Sequence, residues 1–242
     1  MGESRIAAKP HQFRVRNRLL QAISPRDLQT LWPHLTLVGL KPRQTIHHSG
    51  TPMEFIYFVE SGLVAVSAKA SPSKWVEVWL IGSEGMTGLP VLLGDTDDPP
   101  FRRVVQVSGS AYRTSRSDFQ NIVENAPSLR ATLLKYTQFV LLQTSQSAIC
   151  EAHHSLKQRL CRWLLLAHDA LDGEDIPLTH QMLARLLGVR RAGITECLRV
   201  LENEGALENT RALICIKDQG TLENLACGCH ALIKGEYRRL IK

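Results

Sequence analysis

Between residues 128 and 172 the sequence contains neither glycine nor proline, whereas residues 39–127 contain eight Gly and seven Pro. This asymmetry constrains the chain more than any other feature, because these two residues break or punctuate regular backbone. The punctuated part must be a succession of short segments joined by turns. The unpunctuated part predicts one long helix or two consecutive ones.

The short segments read as strands. Residues 55–59 and 63–67 are rich in β-branched and aromatic side chains and flank Glu60, Ser61 and Gly62, which predicts strand, turn, strand. Residues 75–81 alternate around Glu77 and stop at Gly82, and residues 103–107 form a further candidate stopped by Ser108 and Gly109. Strands of this length, at this spacing, predict a sandwich or a barrel-like roll. A helical segment over 17–31 precedes them, with Ser24 and Pro25 starting its second part, and an Asp-rich loop over 95–100 interrupts the roll.

In the unpunctuated stretch Leu129, Leu133, Tyr136 and Val140 recur at the spacing of a coiled-coil seam. They predict a dimerisation helix that pairs with a second copy. A second stripe follows through Leu156, Leu160, Trp163, Leu164, Ala167 and Leu171 and belongs to a C-terminal core. The change of stripe over 151–155 predicts a hinge.

The formal net charge of +6 is unevenly placed. Residues 1–20 carry five basic side chains against one acidic, residues 178–242 carry ten against seven, and the middle is nearly neutral. Basic ends suit a polyanionic partner, most commonly nucleic acid. With 44% apolar and 21% charged residues, the composition is that of a globular protein and excludes general disorder or a collagen-like repeat. No apolar run approaches the roughly 18–20 residues of a membrane span. The polar N-terminus has no secretory signal, and the six cysteines form no C-x-x-C pair. The expectation is therefore a cytoplasmic protein with reduced thiols and no membrane partner.

The sharpest motif covers residues 178–201. Thr179 can cap a helix, Ala184 is small, Gly188 follows four residues later, and Ile194 six residues after that. A helix-turn-helix needs this arrangement: close approach of two helices, a positive-φ turn, and an apolar lock on the second helix. The second helix is predicted over 190–203. It would present Arg191 to guanine, Thr195 to a thymine methyl and Glu196 to a cytosine amino group, with Arg199 on the same outer face. Thr179, His180, Arg185 and Arg190 are placed as phosphate contacts. Residues 205–208 and 212–217 flank Asn209, Thr210 and Arg211, which predicts a wing with Arg211 at its tip contacting phosphate. Residues 222–242 read as one closing helix, with Leu222, Leu225 and Ala226 on its inner face.

Taken in order, Tyr57-Phe-Val-Glu-Ser-Gly62, Glu84-Gly-Met-Thr-Gly88, the long helix and Leu178-Thr-His-Gln-Met-Leu-Ala-Arg-Leu-Leu-Gly-Val-Arg-Arg191 resemble the Crp/Fnr family of bacterial transcription regulators. The resemblance implies an α+β chain. It would have an N-terminal β-roll of the cyclic-nucleotide-binding type over 17–127, a dimerisation helix and hinge over 128–154, and a C-terminal winged helix over 155–230. It implies a homodimer acting on palindromic promoter DNA, with RNA polymerase as a further partner and no enzymatic activity.

Gly88, Leu89, Arg102 and Arg103 fall where the family's ligand-binding residues lie. The departures are specific. Leu89 cannot accept the ribose hydrogen bond that a glutamate accepts in nucleotide-binding members, and Asp95, Asp97 and Asp98 oppose a phosphate. No cysteine precedes Cys150, which argues against the family's iron–sulfur centre, and the neighbouring His47 and His48 suit one haem iron poorly because they point to opposite faces of a strand. The effector therefore stays unknown, and the alternative is a ligand-independent regulator. Cys227-Gly-Cys229-His230 reads as a terminal cap, with metal binding or thiol oxidation as the alternative, and no metal ligands are assigned. Ala192 and Glu196 depart from the family's usual recognition pattern, so the target half-site should differ.

Overall fold

The computed structural model describes residues 15–72, 74–94, 99–173, 175–210 and 212–241. Arg211, the loop acids Asp95, Asp97 and Asp98, and the basic tail over 1–14 lie outside the described residues.

Two short helices open the described chain, α1 (Arg18–Gln21) and α2 (Pro25–Leu31). Asn17 caps the first, accepting the Leu20 N–H at 2.8 Å, and Ser24 caps the second, with Pro25 in the first-turn position where no amide donor is required. The strands are β1 (Thr36–Leu40), β2 (Thr45–His47), β3 (Phe55–Ser71), β4 (Lys74–Ile81) and β5 (Arg102–Ser115), with the short helix α3 (Leu89–Leu92) before β5. They form an antiparallel sheet in the order β1-β5-β3-β4, with β2 on β5.

The turn predicted over 60–62 is instead an irregularity within one continuous strand, and β5 likewise runs through Ser108 and Gly109. Close approach explains both. Gly62 sits at φ +85°, and a Cβ there would lie 2.6 Å from the Val107 carbonyl oxygen; a Cβ on Gly109 would overlap the Ser61 backbone. The glycines let the two strands bulge without separating.

After α4 (Arg116–Asn125), the unpunctuated stretch forms two helices, α5 (Pro127–His153) and α6 (Leu156–Ala170). His154 leaves the helix with extended backbone, and Ser155 starts α6 with a reciprocal capping box to Gln158. The break falls in the predicted hinge. The predicted dimer seam does not face outward, however. Leu129, Leu133, Tyr136 and Val140 are all buried in the core that α5 shares with the roll. The helix is apolar on two faces, and the stripe with the coiled-coil spacing is the one that covers the roll. Leu134, Leu141 and Ile149 occupy the other face and are exposed, Leu141 by 63%.

The C-terminal part comprises α7 (His180–Leu186), α8 (Arg191–Asn203), the hairpin β6 (Leu207–Thr210) and β7 (Leu213–Ile216), α9 (Gln219–Leu225) and α10 (Cys229–Leu240). The tail is thus two helices rather than one. Asp218 caps α9 by accepting the Thr221 N–H, and the chain breaks before Gly228. Leu222 is buried and packs with the winged helix as expected, but α10 turns back onto α5 and the roll. Phe139 meets Tyr237 edge-on at 4.9 Å, and the Tyr237 hydroxyl donates to the Glu84 carbonyl at 2.8 Å.

Two cores result, separated by the sheet. Val64 and Val66 of β3 enter the roll core, while Leu63 and Ala65 enter a second core with α6 and the helix-turn-helix. Trp79 and Ile81 of β4 join the first core and Leu80 the second. The period of two along a strand serves both. At this wall the Trp163 indole N–H donates to Glu77 Oε1 at 2.8 Å. Among the described residues, the second carboxyl oxygen of Glu77 is enclosed and accepts no hydrogen bond. Burial pushes its pKa up to about 8, against the pull of Trp163 and Arg162. The folded state therefore holds a proton that the unfolded chain releases near 4.5. The contribution of Glu77 to stability should accordingly fall as pH rises from about 4.5 to about 8. Glu77→Gln keeps the carbonyl acceptor for Trp163 and lacks this contribution, so the wild-type melting temperature should fall relative to that of Glu77→Gln across that window; calorimetric scans of both proteins check this, and parallel pH profiles would exclude Glu77 as the titrating group.

Candidate nucleic-acid interface and sensor interior

The helix-turn-helix is built as its spacing requires. The Thr179 side chain accepts the Met182 N–H at 3.3 Å and caps α7. Gly188 adopts φ +67°, which only glycine takes without strain, and the Val189 N–H returns to the Ala184 carbonyl at 2.9 Å. Ala184, Ile194, Leu198 and Leu201 are buried between the two helices and the rest of the second core. Arg190, the predicted first residue of the second helix, stands at the N-cap of α8, which starts one residue later at Arg191.

This places Arg191, Thr195, Glu196 and Arg199 on one exposed face of α8, with Arg185 and Arg190 exposed nearby. Two refinements follow from the contacts. Glu196 and Arg199 do not present independent charges: Arg199 Nη2 and Nε donate to the two Glu196 carboxylate oxygens at 2.7 and 3.3 Å. The guanidinium holds the Glu196 pKa below its ordinary value. His180 is likewise engaged within the protein. Its Nδ1 lies 2.9 Å from Thr195 Oγ1, and its Nε2 faces the Asn209 side-chain amide, 3.1 Å from Oδ1. One imidazole thus joins the start of α7, the exposed face of α8 and the wing. Asn209 also donates its backbone N–H to Glu202 Oε1 at 2.8 Å.

Asn209 and Gln181 are residues that sequence reasoning missed; with Thr179 and Arg191 they line a concave surface between α7, α8 and the wing. The signal for Asn209 was available: strand alternation puts it on the same side of β6 as the buried Leu207.

The four positions assigned to a ligand do not form one site. Arg103 points into the roll, is 1% exposed and donates to the Phe101 carbonyl at 3.0 Å. Arg102 points out of it, with its guanidinium 4.2 Å from the Trp75 ring centroid, and lines a groove whose opposite wall is Arg185, Gly188 and Arg190. Leu89 is buried in the roll core. A Cβ on Gly88 would lie 2.7 Å from Ile56, so this glycine serves packing. Close to Arg103, His47 is buried while His48 is exposed. His47 Nε2 lies 3.2 Å from Thr87 Oγ1, and burial, reinforced by the Arg103 charge, lowers its pKa to about 3, so the ring is neutral at physiological pH.

The cysteine-rich tail also differs from its linear reading. The His230 imidazole does not join the two cysteines: its Nε2 lies 2.7 Å from Asp169 Oδ2, and Lys234 donates to the other oxygen at 2.8 Å. Cys227 and Cys229 instead approach Cys150 and His154 at the end of α5.

Replacing Glu196 by Gln should free Arg199 and remove one negative charge from the exposed face. Affinity for a random-sequence duplex should rise several-fold at low salt, and the slope of log K against log salt should steepen by about one. Fluorescence anisotropy across a salt series reads both; an unchanged slope would place this pair outside the interface.

Residues 158–225 match the Crp-like helix-turn-helix domain, and residues 37–126 match the cyclic nucleotide-binding domain. Curated relatives include the global nitrogen regulator of Nostoc sp., 25% identical over 74% of this chain and 84% of the relative, and that of Synechocystis sp., 25% identical over 72% and 80%. Among solved structures, FixK2 from Bradyrhizobium japonicum superposes with a TM-score of 0.67 at 17% identity, covering 80% of this chain and 98% of that one. The c-di-GMP-responsive global regulator CLP of Xanthomonas campestris superposes with a TM-score of 0.63 at 20% identity, covering 80% and 99%. Those relatives are regulators rather than enzymes, and among the described residues no helix is long and apolar enough to cross a membrane. With both domains matched in the order in which the fold presents them, the chain belongs to the Crp/Fnr family of DNA-binding transcription regulators.

Proposed function

We propose that the protein acts in the cytoplasm as a homodimer that reads a palindromic promoter site, with two winged helices entering major grooves about one helical turn apart. In this reading residues 17–127 are the sensor roll, 128–154 the dimerisation helix and hinge, and 155–230 the DNA-reading domain, with RNA polymerase as a further partner. The observation that carries it is the exposed face of α8, on which Arg191, Thr195, Glu196 and Arg199 stand clear of the core. Arg191, at the first position of the helix, is the residue we assign to guanine. The seam between copies is assigned to Leu134, Leu141 and Ile149 rather than to the buried stripe. Leu134 and Leu141 are one heptad apart on the outer face of α5, and among the described residues both stay exposed.

Sedimentation and a salt-titrated shift assay on a palindromic promoter fragment test the reading together. The wild type should sediment as a dimer and bind with a steep negative salt slope. Leu141→Glu should give folded monomers with most of the palindrome affinity lost, and Arg191→Ala should cost about 1–3 kcal/mol at one base pair per half-site. A dimeric Leu141→Glu, or a wild type that binds no promoter fragment at low salt, would sink it.

A second reading concerns the effector. Ile56 closes on Gly88 and Leu89 is packed into the core, so two of the positions that the family resemblance assigns to ligand binding serve packing. This favours regulation without a cyclic nucleotide. Millimolar cyclic AMP or cyclic GMP should shift neither the melting temperature nor the palindrome affinity. A shift that Arg103→Ala abolishes would restore the nucleotide reading.

A further inference from the structure

Three thiols and one imidazole from two distant stretches of chain meet at the break between α5 and α6. Cys150 and His154 stand four residues apart at the end of α5, and Cys227 and Cys229 flank Gly228 where α10 begins. All four donor atoms lie within 4.8 Å of one another. Cys150 Sγ and Cys227 Sγ are 3.6 Å apart, as are Cys229 Sγ and His154 Nδ1. A tetrahedral ion with Zn–S near 2.3 Å and Zn–N near 2.0 Å separates its ligands by about 3.5–3.8 Å.

Burial disfavours free thiolates here, so these sulfurs would ionise only against a bound cation. The three cysteines are buried and form a cluster apart from both apolar cores. The Gln146 amide donates to Cys229 Sγ at 3.1 Å, an outer-shell bond of the kind that orients and stabilises a ligand. The buried guanidinium of Arg162 lies near enough to act on Cys150 electrostatically. It would offset the single negative charge of a dication held by three thiolates and a neutral imidazole.

We propose that Cys150, His154, Cys227 and Cys229 form a mononuclear zinc site that fastens the start of α10 to the end of α5. On binding, Zn²⁺ displaces the protons of the three thiols into solvent and takes the lone pair of His154 Nδ1; no electron is transferred. The close packing of the donor atoms favours one ion over an iron–sulfur cluster, which spreads its thiolates around a polynuclear core. The ion would fix more than a loop. α10 carries His230 and Lys234, both bound to Asp169 of α6, and Tyr237, bound to the Glu84 carbonyl. A clamp at its first turn therefore holds the hinge between α5 and the DNA-reading part.

The test uses the full chain, reduced, chelator-treated and titrated with Co²⁺ as a spectroscopic probe. One equivalent should bind, with the visible bands of tetrahedral cobalt and a near-ultraviolet sulfur charge-transfer band of three-thiolate intensity. Zn²⁺ should displace it, and binding should release the protons of Cys150, Cys227 and Cys229. His154→Ala removes a ligand and should weaken binding by more than the about 10- to 100-fold that loss of an outer-shell partner costs. Cys215→Ser, outside the cluster, should leave the spectrum unchanged. Octahedral cobalt, no sulfur charge transfer in the wild type, or an unchanged spectrum in a folded Cys150→Ser/Cys227→Ser variant would overturn the assignment. The wild-type spectrum decides even where a variant fails to fold. A Cys150–Cys227 disulfide that persists under reductant, with no metal uptake, would overturn it as well.

Discussion

A single wall of sheet buried on both faces governs this molecule. Residues 63–66 of β3 alternate between the roll core and the core of the winged-helix part, so neither side can be repacked without the other feeling it. The long helix α5 is laid against the roll by Leu129, Leu133, Tyr136 and Val140, and it delivers the chain to the break at His154. Tyr136 is seated where Gly85 leaves room, since a Cβ on that glycine would overlap its hydroxyl. From there α6 returns to the outer face of the sheet. The position of the DNA-reading surface follows from these two packings and from the Glu77–Trp163 bond across them.

Much of this was legible in the chain. The glycine–proline asymmetry located the roll and the two helices, and Ala184, Gly188 and Ile194 located the helix-turn-helix, because these features depend on local geometry that sequence spacing encodes. What was illegible depended on partners distant in sequence. The apolar residues at 129, 133, 136 and 140 have the period of a dimer seam, yet a helix lying on a β-roll shows the same period on its buried face. Only the packing distinguishes the two. Similarly, Gly62 signals a turn in isolation, but Val107 and Ser108 across the ladder make it a bulge.

The same limit applied to charge and to ligating side chains. Arg102 and Arg103 are equivalent as letters, while the pleat sends one outward onto Trp75 and the other into the interior. Glu196 and Arg199 read as two separate contacts, although three residues along a helix is a salt-bridging distance and they pair in the free protein. The cysteine cluster needs Cys150 and Cys227, 77 positions apart, so its linear trace in Cys227-Gly-Cys229-His230 pointed to the wrong histidine.

The outward and inward arginines of β5 have a mechanical meaning. Neighbouring residues of one strand share a single rigid peptide plane, so a backbone shift at one reaches the other. A backbone shift at Arg103 would tilt that plane, and Arg102 sits at its other end, across the groove from Arg185 and Arg190. The buried interior of the roll and the groove beside the helix-turn-helix are thus lined by side chains one amide apart, on opposite faces of the sheet.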